Sequence, residues 1–237
     1  MNRFALVLLS GFGVAFLGVG ETWAESPRDT IVEIKFGPWR PSIDSEFPEG
    51  VNPYKEVMGS GQVLMSKLEI EFELYNEFGV FAIAGSAGFA RDKGKALTKK
   101  GEKAEDTTTF NVVPLSFSFV YRFDYLAQRY WIPLVPVIKA GFDYYVWWFT
   151  NGVGKVPRTD DGSIGQGGTF GGHVAVGLSF LLDFLARDMA KTFDADFGVN
   201  NTYLFGEYVF SFVNDFGSNK SLDLSARYFM FGIAFEF

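Results

Sequence analysis

The stretch GQVLMSKLEIEFELYN, from Gly61 to Asn76, decides the fold of this chain. Apolar side chains at Leu68, Ile70 and Phe72 alternate with charged side chains at the positions between and beside them. Successive side chains of a strand point to opposite faces, so this strand has one apolar face and one charged face. Charges at every second position of so apolar a strand indicate a membrane barrel, in which lipid-facing and lumen-facing residues alternate.

The same alternation recurs in seven further segments of the chain. Together they predict an all-β fold, an eight-stranded antiparallel up-and-down transmembrane β-barrel. Long polar connections at 37–61, 91–107 and 150–168, with a medium one at 214–221, alternate with short ones, as such barrels require. The seven segments are VEIKF (32–36), FGVFAIAGSAGFA (78–90), NVVPLSFSFVYRFD (111–124), PVIKAGFDYYVWW (136–148), GGHVAVGLSFLL (171–182), TYLFGEYVFSF (202–212) and SARYFMFGIAFEF (225–237).

The connection between strands six and seven is long where a short turn is expected. Its apolar residues recur at helical spacing, which predicts a short periplasmic helix between these strands. The helix either lies along the inner rim of the membrane or only closes the barrel, and the second interpretation is favoured because the segment is short. The apolar positions are Leu181, Leu185, Met189 and Phe193.

The first 24 residues predict a signal peptide, which leaves 25–237 as a single barrel domain. Arg3 precedes an apolar run, and Thr22 to Ala24 offer small residues beside a cleavage position. A retained membrane anchor is the alternative, but the run is short for a spanning helix. Cleavage is favoured, and it predicts export to the cell outer membrane.

Composition argues against several functions. The net charge is −7, so the chain lacks the basic face that nucleic-acid binding requires. The chain has no cysteine and one histidine, His173. Too few metal-ligating side chains stand at suitable spacing, so neither a metal site nor a cofactor is predicted. Outer-membrane lipid hydrolases carry a serine two residues after their histidine, and here that position is Ala175. No catalytic residue is therefore predicted.

The polar positions of the predicted strands place charges inside the barrel. The lumen of an eight-stranded barrel is just wide enough for side chains to fill it, which predicts a plug of paired charges. A narrow path that prefers cations is the alternative. The predicted lumen charge network consists of Glu33, Lys35, Lys67, Glu69, Glu71, Glu73, Arg122, Lys139, Asp143, Glu207 and Glu236.

Tyrosine and tryptophan residues near the strand ends predict aromatic girdles, because these side chains concentrate where a bilayer meets water. The outer girdle is expected to contain Tyr144, Tyr145, Trp147 and Trp148. The inner girdle is expected to contain Tyr121, Phe123, Tyr125, Tyr130 and Trp131.

The last strand ends the chain on an alternating apolar face, formed by Phe229, Phe231, Ile233, Phe235 and Phe237. This pattern resembles the C-terminal signature by which bacterial outer-membrane proteins are recognised for barrel assembly. The mature chain resembles small barrels of the OmpA, OmpX and OmpW type. The stretches FGPWRPSID (36–44) and GVNNTYLFGEY (198–208) are similar to those of an uncharacterised barrel family of myxobacteria. These resemblances imply fold and location only.

The favoured hypothesis is a non-enzymatic outer-membrane barrel with a structural or surface-interaction role through its external loops, since loops on rigid scaffolds carry binding. Its expected partners are outer-membrane lipids, lipopolysaccharide and the barrel-assembly machinery. The alternative is an OmpW-like narrow channel for small or hydrophobic solutes, suggested by Trp147 and Trp148. A third hypothesis is a lipid-modifying enzyme that acts through His173, with Glu207 as its orienting carboxylate.

Overall fold

The computed structural model describes residues 29–97, 103–130, 132–158, 164–184, 196–218 and 221–237. These residues form eight strands, each paired antiparallel with the next, and the last strand pairs with the first. The prediction of an eight-stranded up-and-down barrel is confirmed. The strands are β1 (Thr30–Trp39), β2 (Val63–Tyr75), β3 (Val80–Leu97), β4 (Lys103–Arg122), β5 (Leu134–Thr150), β6 (Gln166–Leu181), β7 (Asn201–Val213) and β8 (Ala226–Glu236).

The barrel closes between the two ends of the chain. Ile31 of β1 lies opposite Glu236 of β8, and the pairing continues to Phe36 opposite Phe231. The last residue joins this seam, because the Phe237 backbone N–H donates to the carbonyl of Thr30 over 2.8 Å. We call this end of the barrel the terminal end, and the opposite end the loop end.

Short helices lie in the connections. The β1–β2 connection at the loop end holds a 3-10 helix (Ile43–Glu46) and α1 (Pro53–Met58), and the β4–β5 connection at the terminal end holds α2 (Tyr125–Tyr130). After β6 the structure describes a 3-10 turn at Leu182–Phe184, while 185–195, where the periplasmic helix is predicted, lie outside the described residues. The predicted signal peptide also lies outside them.

The prediction of a loop at 91–107 is wrong. β3 has 18 residues and β4 has 20, about twice the length that a barrel strand needs to span a bilayer. Their pairing continues to Lys95 opposite Thr107, so the two strands form a hairpin that projects from the loop end. The sequence there is polar on both faces because the hairpin has left the membrane, and a polar strand is easily mistaken for a loop.

Pro114 lies inside β4, where a proline removes one donor from the strand ladder. β4 passes through it, and the pairing with β3 skips from Ala87 opposite Leu115 to Ala90 opposite Val112. Proline has no N–H to donate, so the ladder is interrupted on that side only. Pairing with β5 is intact, with Pro114 opposite Tyr145.

The outer surface of the barrel carries an apolar belt contributed by every strand. Its side chains are exposed although they are large and hydrophobic, which is the arrangement of a protein whose surroundings are lipid. No helix among the described residues is long and apolar enough to cross a bilayer. Members of the belt include Ile34, Phe36, Leu68, Phe72, Phe81, Phe117, Phe119, Ile138, Phe142, Val174, Val176, Leu204, Phe212, Phe229 and Phe231.

Candidate functional site

The lumen holds a network of buried charges with Lys139 at its centre. The ammonium of Lys139 on β5 lies 2.7 Å from Glu33 on β1 and 2.9 Å from Glu71 on β2, and it also contacts Glu69. Glu207 on β7 is 3.8 Å away. Four strands therefore direct carboxylates or ammonium groups to one point, because each side chain occupies an inward position of its strand.

Two further cations complete the network. Arg122 on β4 binds Glu71 through two nitrogen atoms at 2.7 and 2.9 Å, and its Nη2 also donates to Glu33 over 2.5 Å. Lys35 on β1 lies 2.8 Å from Glu69 and 3.0 Å from Glu207. Arg122 and Lys35 therefore contact carboxylates that Lys139 also contacts. Burying a charge raises the free energy of the folded state unless the charge is paired and hydrogen-bonded, and the charges described here are both.

The three carboxylates around Lys139 resemble a cation site. Oxygen atoms of Glu33, Glu69 and Glu71 lie within 4.8 Å of one another, close enough to share a metal ion. The Lys139 ammonium contacts all three, so the protein's own cation already holds the place that a metal would take. Charge and geometry therefore argue against a metal site here.

A second group of polar residues lies nearer the loop end. Nε2 of His173 on β6 is 3.0 Å from the hydroxyl of Ser118 on β4, and Nδ1 is 3.0 Å from a carboxylate oxygen of Asp143 on β5. Ser118 pairs with Gly141, which in turn pairs with His173. Because Gly141 has no side chain, the serine and the histidine can meet across the strand between them.

These hydrogen bonds have the order of a serine-hydrolase triad, with the imidazole between hydroxyl and carboxylate. The sequence places Asp143 in the lumen but does not link it or Ser118 to His173, because the three residues stand on neighbouring strands. Around His173 it offers only Ala175 and Glu207 for a catalytic role. A hydrolase nucleophile must reach its substrate, yet Ser118 is only 1% exposed. The lumen cavity beside His173 has a volume of about 20 Å³, which is the space of about one water molecule. An open groove of about 390 Å³ also reaches His173, but it lies among the outward-facing Phe119, Phe142 and Phe212, and neither Ser118 nor Asp143 lines it. The hydroxyl of Ser118 thus has no room for a substrate on the lumen side.

Lys67 and two other predicted charges lie at the edges of these groups. Lys67 on β2 contacts the hydroxyl of Ser116 at 3.5 Å and lies above the ring of Tyr145. Glu236 at the terminal end accepts hydrogen bonds from the side chains of Asn201 and Tyr203. Glu73 is half-buried at the inward position that follows Glu71 on β2, toward the same end. The predicted lumen charges therefore divide into one central network and peripheral members.

Buried hydrophobic clusters flank the polar centre on both sides. Toward the loop end lies a buried cluster that includes Trp39, Tyr54, Met65, Phe110, Tyr145, Leu224 and Tyr228. Toward the terminal end lies a second cluster that includes Ile31, Val80, Val120, Val135, Val137, Tyr203 and Phe205. The charged centre of the lumen thus lies between two buried hydrophobic clusters, and Glu236 lies beside the second cluster at the terminal end.

The β1–β2 connection forms the outermost part of the loop-end layer. The hydroxyl of Tyr54 in α1 donates to Asp92 on β3 over 2.8 Å, and Asp44 accepts from the Tyr54 backbone N–H over 2.7 Å. Arg40 ties the connection together by donating to the carbonyls of Gly59 and Gly61. Burial raises the pKa of the Tyr54 phenol well above its usual value, and the negative charge of Asp92 raises that pKa further.

The predicted aromatic girdle is only partly on the outer surface. Tyr144 is exposed, and the half-buried Tyr121 donates to the carbonyl of Phe78 near the terminal end. Tyr145 and Trp147 belong to the loop-end layer instead, because odd-numbered positions of β5 point inward. Trp147 donates there to the buried hydroxyl of Thr169 over 3.1 Å. Trp131 lies outside the described residues.

Comparison with known proteins is informative for shape only. No family model matches the chain, and no curated protein is similar to it in sequence. Among solved structures, Ail, the attachment invasion locus protein of Yersinia pestis, is 11% identical, with 89% of this chain and 97% of Ail covered and a TM-score of 0.45. That structure contains the heparin analogue sucrose octasulfate.

Two other solved barrels give similar values. Neisserial surface protein A is 13% identical over 89% of this chain and 97% of its own, with a TM-score of 0.47. OprG from Pseudomonas aeruginosa is 11% identical over 89% and 96%, also with a TM-score of 0.47. The fold assignment itself rests on the strand pairing and the apolar belt. This chain is an eight-stranded β-barrel of the outer-membrane type. Its resemblance to the myxobacterial family stays a prediction.

Proposed function

We propose that this protein is a closed, non-enzymatic barrel of the bacterial outer membrane, exported by its amino-terminal segment, that holds a rigid surface structure outside the cell. The observation that carries the proposal is the filled lumen, in which the charged network around Lys139 lies between two hydrophobic clusters. The loop end would then face outward and the terminal end would face the periplasm, as the strand connections of such barrels require.

The filled lumen argues against transport. An ion on the barrel axis would have to separate Lys139 from Glu33, Glu69 and Glu71, and then cross an apolar layer. Breaking one partner out of a buried ion pair costs about 3–5 kcal/mol, which slows such a step severely. A filled interior of this kind instead makes the barrel rigid.

The loop end supplies the surface that such a scaffold presents. The β3–β4 hairpin projects beyond the membrane, and α1 packs against its inner face at Gly94. A side chain at Gly94 would place its Cβ only 2.0 Å from the carbonyl oxygen of Val57, so this contact requires a glycine at position 94. The hairpin is therefore supported from inside, as a recognition surface requires.

Single-channel recording tests the closed lumen. The protein should be refolded from inclusion bodies, which avoids contaminating porins, and added to planar bilayers beside a porin as a positive control. We expect no current steps from the folded barrel. Reproducible steps whose size changes in Lys139→Glu would show that ions pass the network, and would overturn the proposal.

Cysteine accessibility tests the orientation in cells, and the chain contains no native cysteine to interfere. Val153 is 77% exposed in the β5–β6 connection at the loop end, and Phe78 is 71% exposed in the β2–β3 connection at the terminal end. A membrane-impermeant maleimide should label Val153→Cys on intact cells, and Phe78→Cys only after the outer membrane is permeabilised. The reverse pattern, or labelling of neither variant in outer-membrane fractions, would contradict the proposed placement.

A further inference from the structure

The outward face of β3 changes from apolar to basic at one point. Alternate residues from Phe81 to Phe89 face the lipid and are apolar or small, and the next three outward positions are Arg91, Lys93 and Lys95. Outward residues two apart on a strand are separated by roughly 6.5–7 Å. The three cations therefore form a straight column of about 13 Å that begins directly above the apolar belt.

The neighbouring strand presents uncharged polar groups beside this column. Asn111, Thr109 and Thr107 of β4 lie opposite Arg91, Lys93 and Lys95. Arg91 is held in place, because its Nε donates to Asn111 over 2.8 Å and its guanidinium lies 5.3 Å from the centre of the Phe89 ring. The base of the column is thus ordered and continuous with the belt.

The positive charge of the column is not neutralised along the paired part of the hairpin. Asp92 faces the inner side of β3, where it accepts the hydrogen bond from Tyr54. Within the described part of the chain, no carboxylate lies within 4.0 Å of the ammonium of Lys93 or of Lys95. The acidic residues of the hairpin, Glu105 and Asp106, lie beyond Thr107 toward its tip.

Trp148 completes the surface at the level of the membrane boundary. It lies on β5 opposite Asn111 and faces outward, and β4 separates it from Arg91 on β3. Tryptophan favours this depth because it contacts both acyl chains and polar headgroups. This surface suits an amphiphile. The apolar face would contact its acyl chains, the tryptophan would lie at the membrane boundary, and the cations above would contact its phosphate groups.

We propose that Arg91, Lys93 and Lys95 bind the phosphate groups of a phosphorylated lipid of the lipid A class, whose acyl chains lie against Phe89 and the outward residues below it. A lipid fits this surface better than a soluble phosphate, because the column is continuous with the apolar belt. This inference rests on the proposed outer-membrane location. It adds a specific site and a ligand class to that location.

Binding can be measured by native mass spectrometry of the folded barrel in detergent, titrated with purified lipid A. The test variant is Arg91→Gln/Lys93→Gln/Lys95→Gln, and the matched control is Lys55→Gln/Lys155→Gln/Arg158→Gln, which removes three exposed cations from the same end. We expect one lipid A per wild-type barrel and an affinity reduced roughly 100-fold in the test variant, with little change in the control.

Three further arms identify what is bound. Lipid A without phosphates should bind the wild type as weakly as phosphorylated lipid A binds the test variant. Millimolar inorganic phosphate should not compete, because it lacks acyl chains, and competition by it would overturn the assignment to a lipid. Equal loss of affinity in both triple variants would also overturn it, since only general charge would then matter.

Two checks separate this proposal from the preceding one. Lys93→Gln/Lys95→Gln keeps the Arg91–Asn111 bond, so it serves if the triple variant folds poorly, and it should still lose roughly 30-fold in affinity. Unchanged affinity in this folded double variant would refute the lipid site. Silent bilayers and correct cysteine labelling would leave the closed-barrel proposal standing in that case.

Discussion

The Nζ atom of Lys139 lies 2.7 Å from a carboxylate oxygen of Glu33, and almost no water reaches either side chain. The same ammonium contacts Glu69 and Glu71, so one lysine joins three carboxylates that would otherwise repel one another. The central role of Lys139 links the fold to the proposed function, because the contacts that fill the lumen also hold four strands in register.

Lys139→Met should destabilise the barrel by about 3–5 kcal/mol, because it keeps the length of the side chain but leaves buried carboxylates without their cation. The free energy of unfolding can be measured by urea titration in lipid vesicles, followed by tryptophan fluorescence. Lys155→Met is the matched control, since it makes the same chemical change at an exposed position outside the lumen and outside the basic column. Equal stability of the two variants would show that the network contributes little.

Gly141→Ala should also destabilise the barrel, by at least about 1–3 kcal/mol, because small-to-large changes in a packed interior force backbone movement. A Cβ at this position would lie 2.0 Å from the carbonyl oxygen of Phe117 and 2.7 Å from Cα of Ser118. Gly85→Ala is the control, because no atom lies within 4 Å of the corresponding Cβ. The same urea titration should place Gly85→Ala within about 0.5 kcal/mol of the wild type.

Ser118 should not react with fluorophosphonate probes in the folded protein, despite its hydrogen bond to His173. The reason is burial, since a probe cannot reach a hydroxyl that is 1% exposed. Gel fluorescence after labelling measures the reaction, with a known serine hydrolase as the positive control. Labelling of the wild type that disappears in Ser118→Ala would contradict the non-enzymatic proposal and would favour the lipid-modifying hypothesis.

Sequence patterning predicts much of the interior because strand periodicity is local. Glu33, Glu69 and Lys139 could each be assigned to the lumen from the apolar neighbours on either side of them. The contacts between these charges depend on the register between strands, and the local sequence pattern does not predict that register. The contact of Ser118 with His173 shows this clearly, because it requires two registers and a glycine between the two residues.

The errors at the loop end have a common cause. Residue type alone predicts a membrane girdle for Trp147 and Tyr145, although alternation along β5 places both on the inward side with Lys139 and Asp143. The projecting β3–β4 hairpin resembles a loop in sequence because water surrounds both of its faces, so both faces carry polar residues. In both segments the residue type reflects the surroundings of the side chain, whereas the alternation of side chains along the chain reflects the strand geometry.

Tyr54 predicts a loss of stability at alkaline pH. Its pKa is raised in the folded state, by burial and by the charge of Asp92, so its stabilising contribution is complete below the unfolded-state pKa of about 10 and is lost as pH rises further. Between pH 9 and pH 11 the wild type should lose about 1 kcal/mol more than Tyr54→Phe, which has no ionisable group. Urea titrations at both pH values measure the difference. Parallel losses would mean that the phenol ionises without constraint, and that the hydrogen bond to Asp92 does not hold α1 over the lumen.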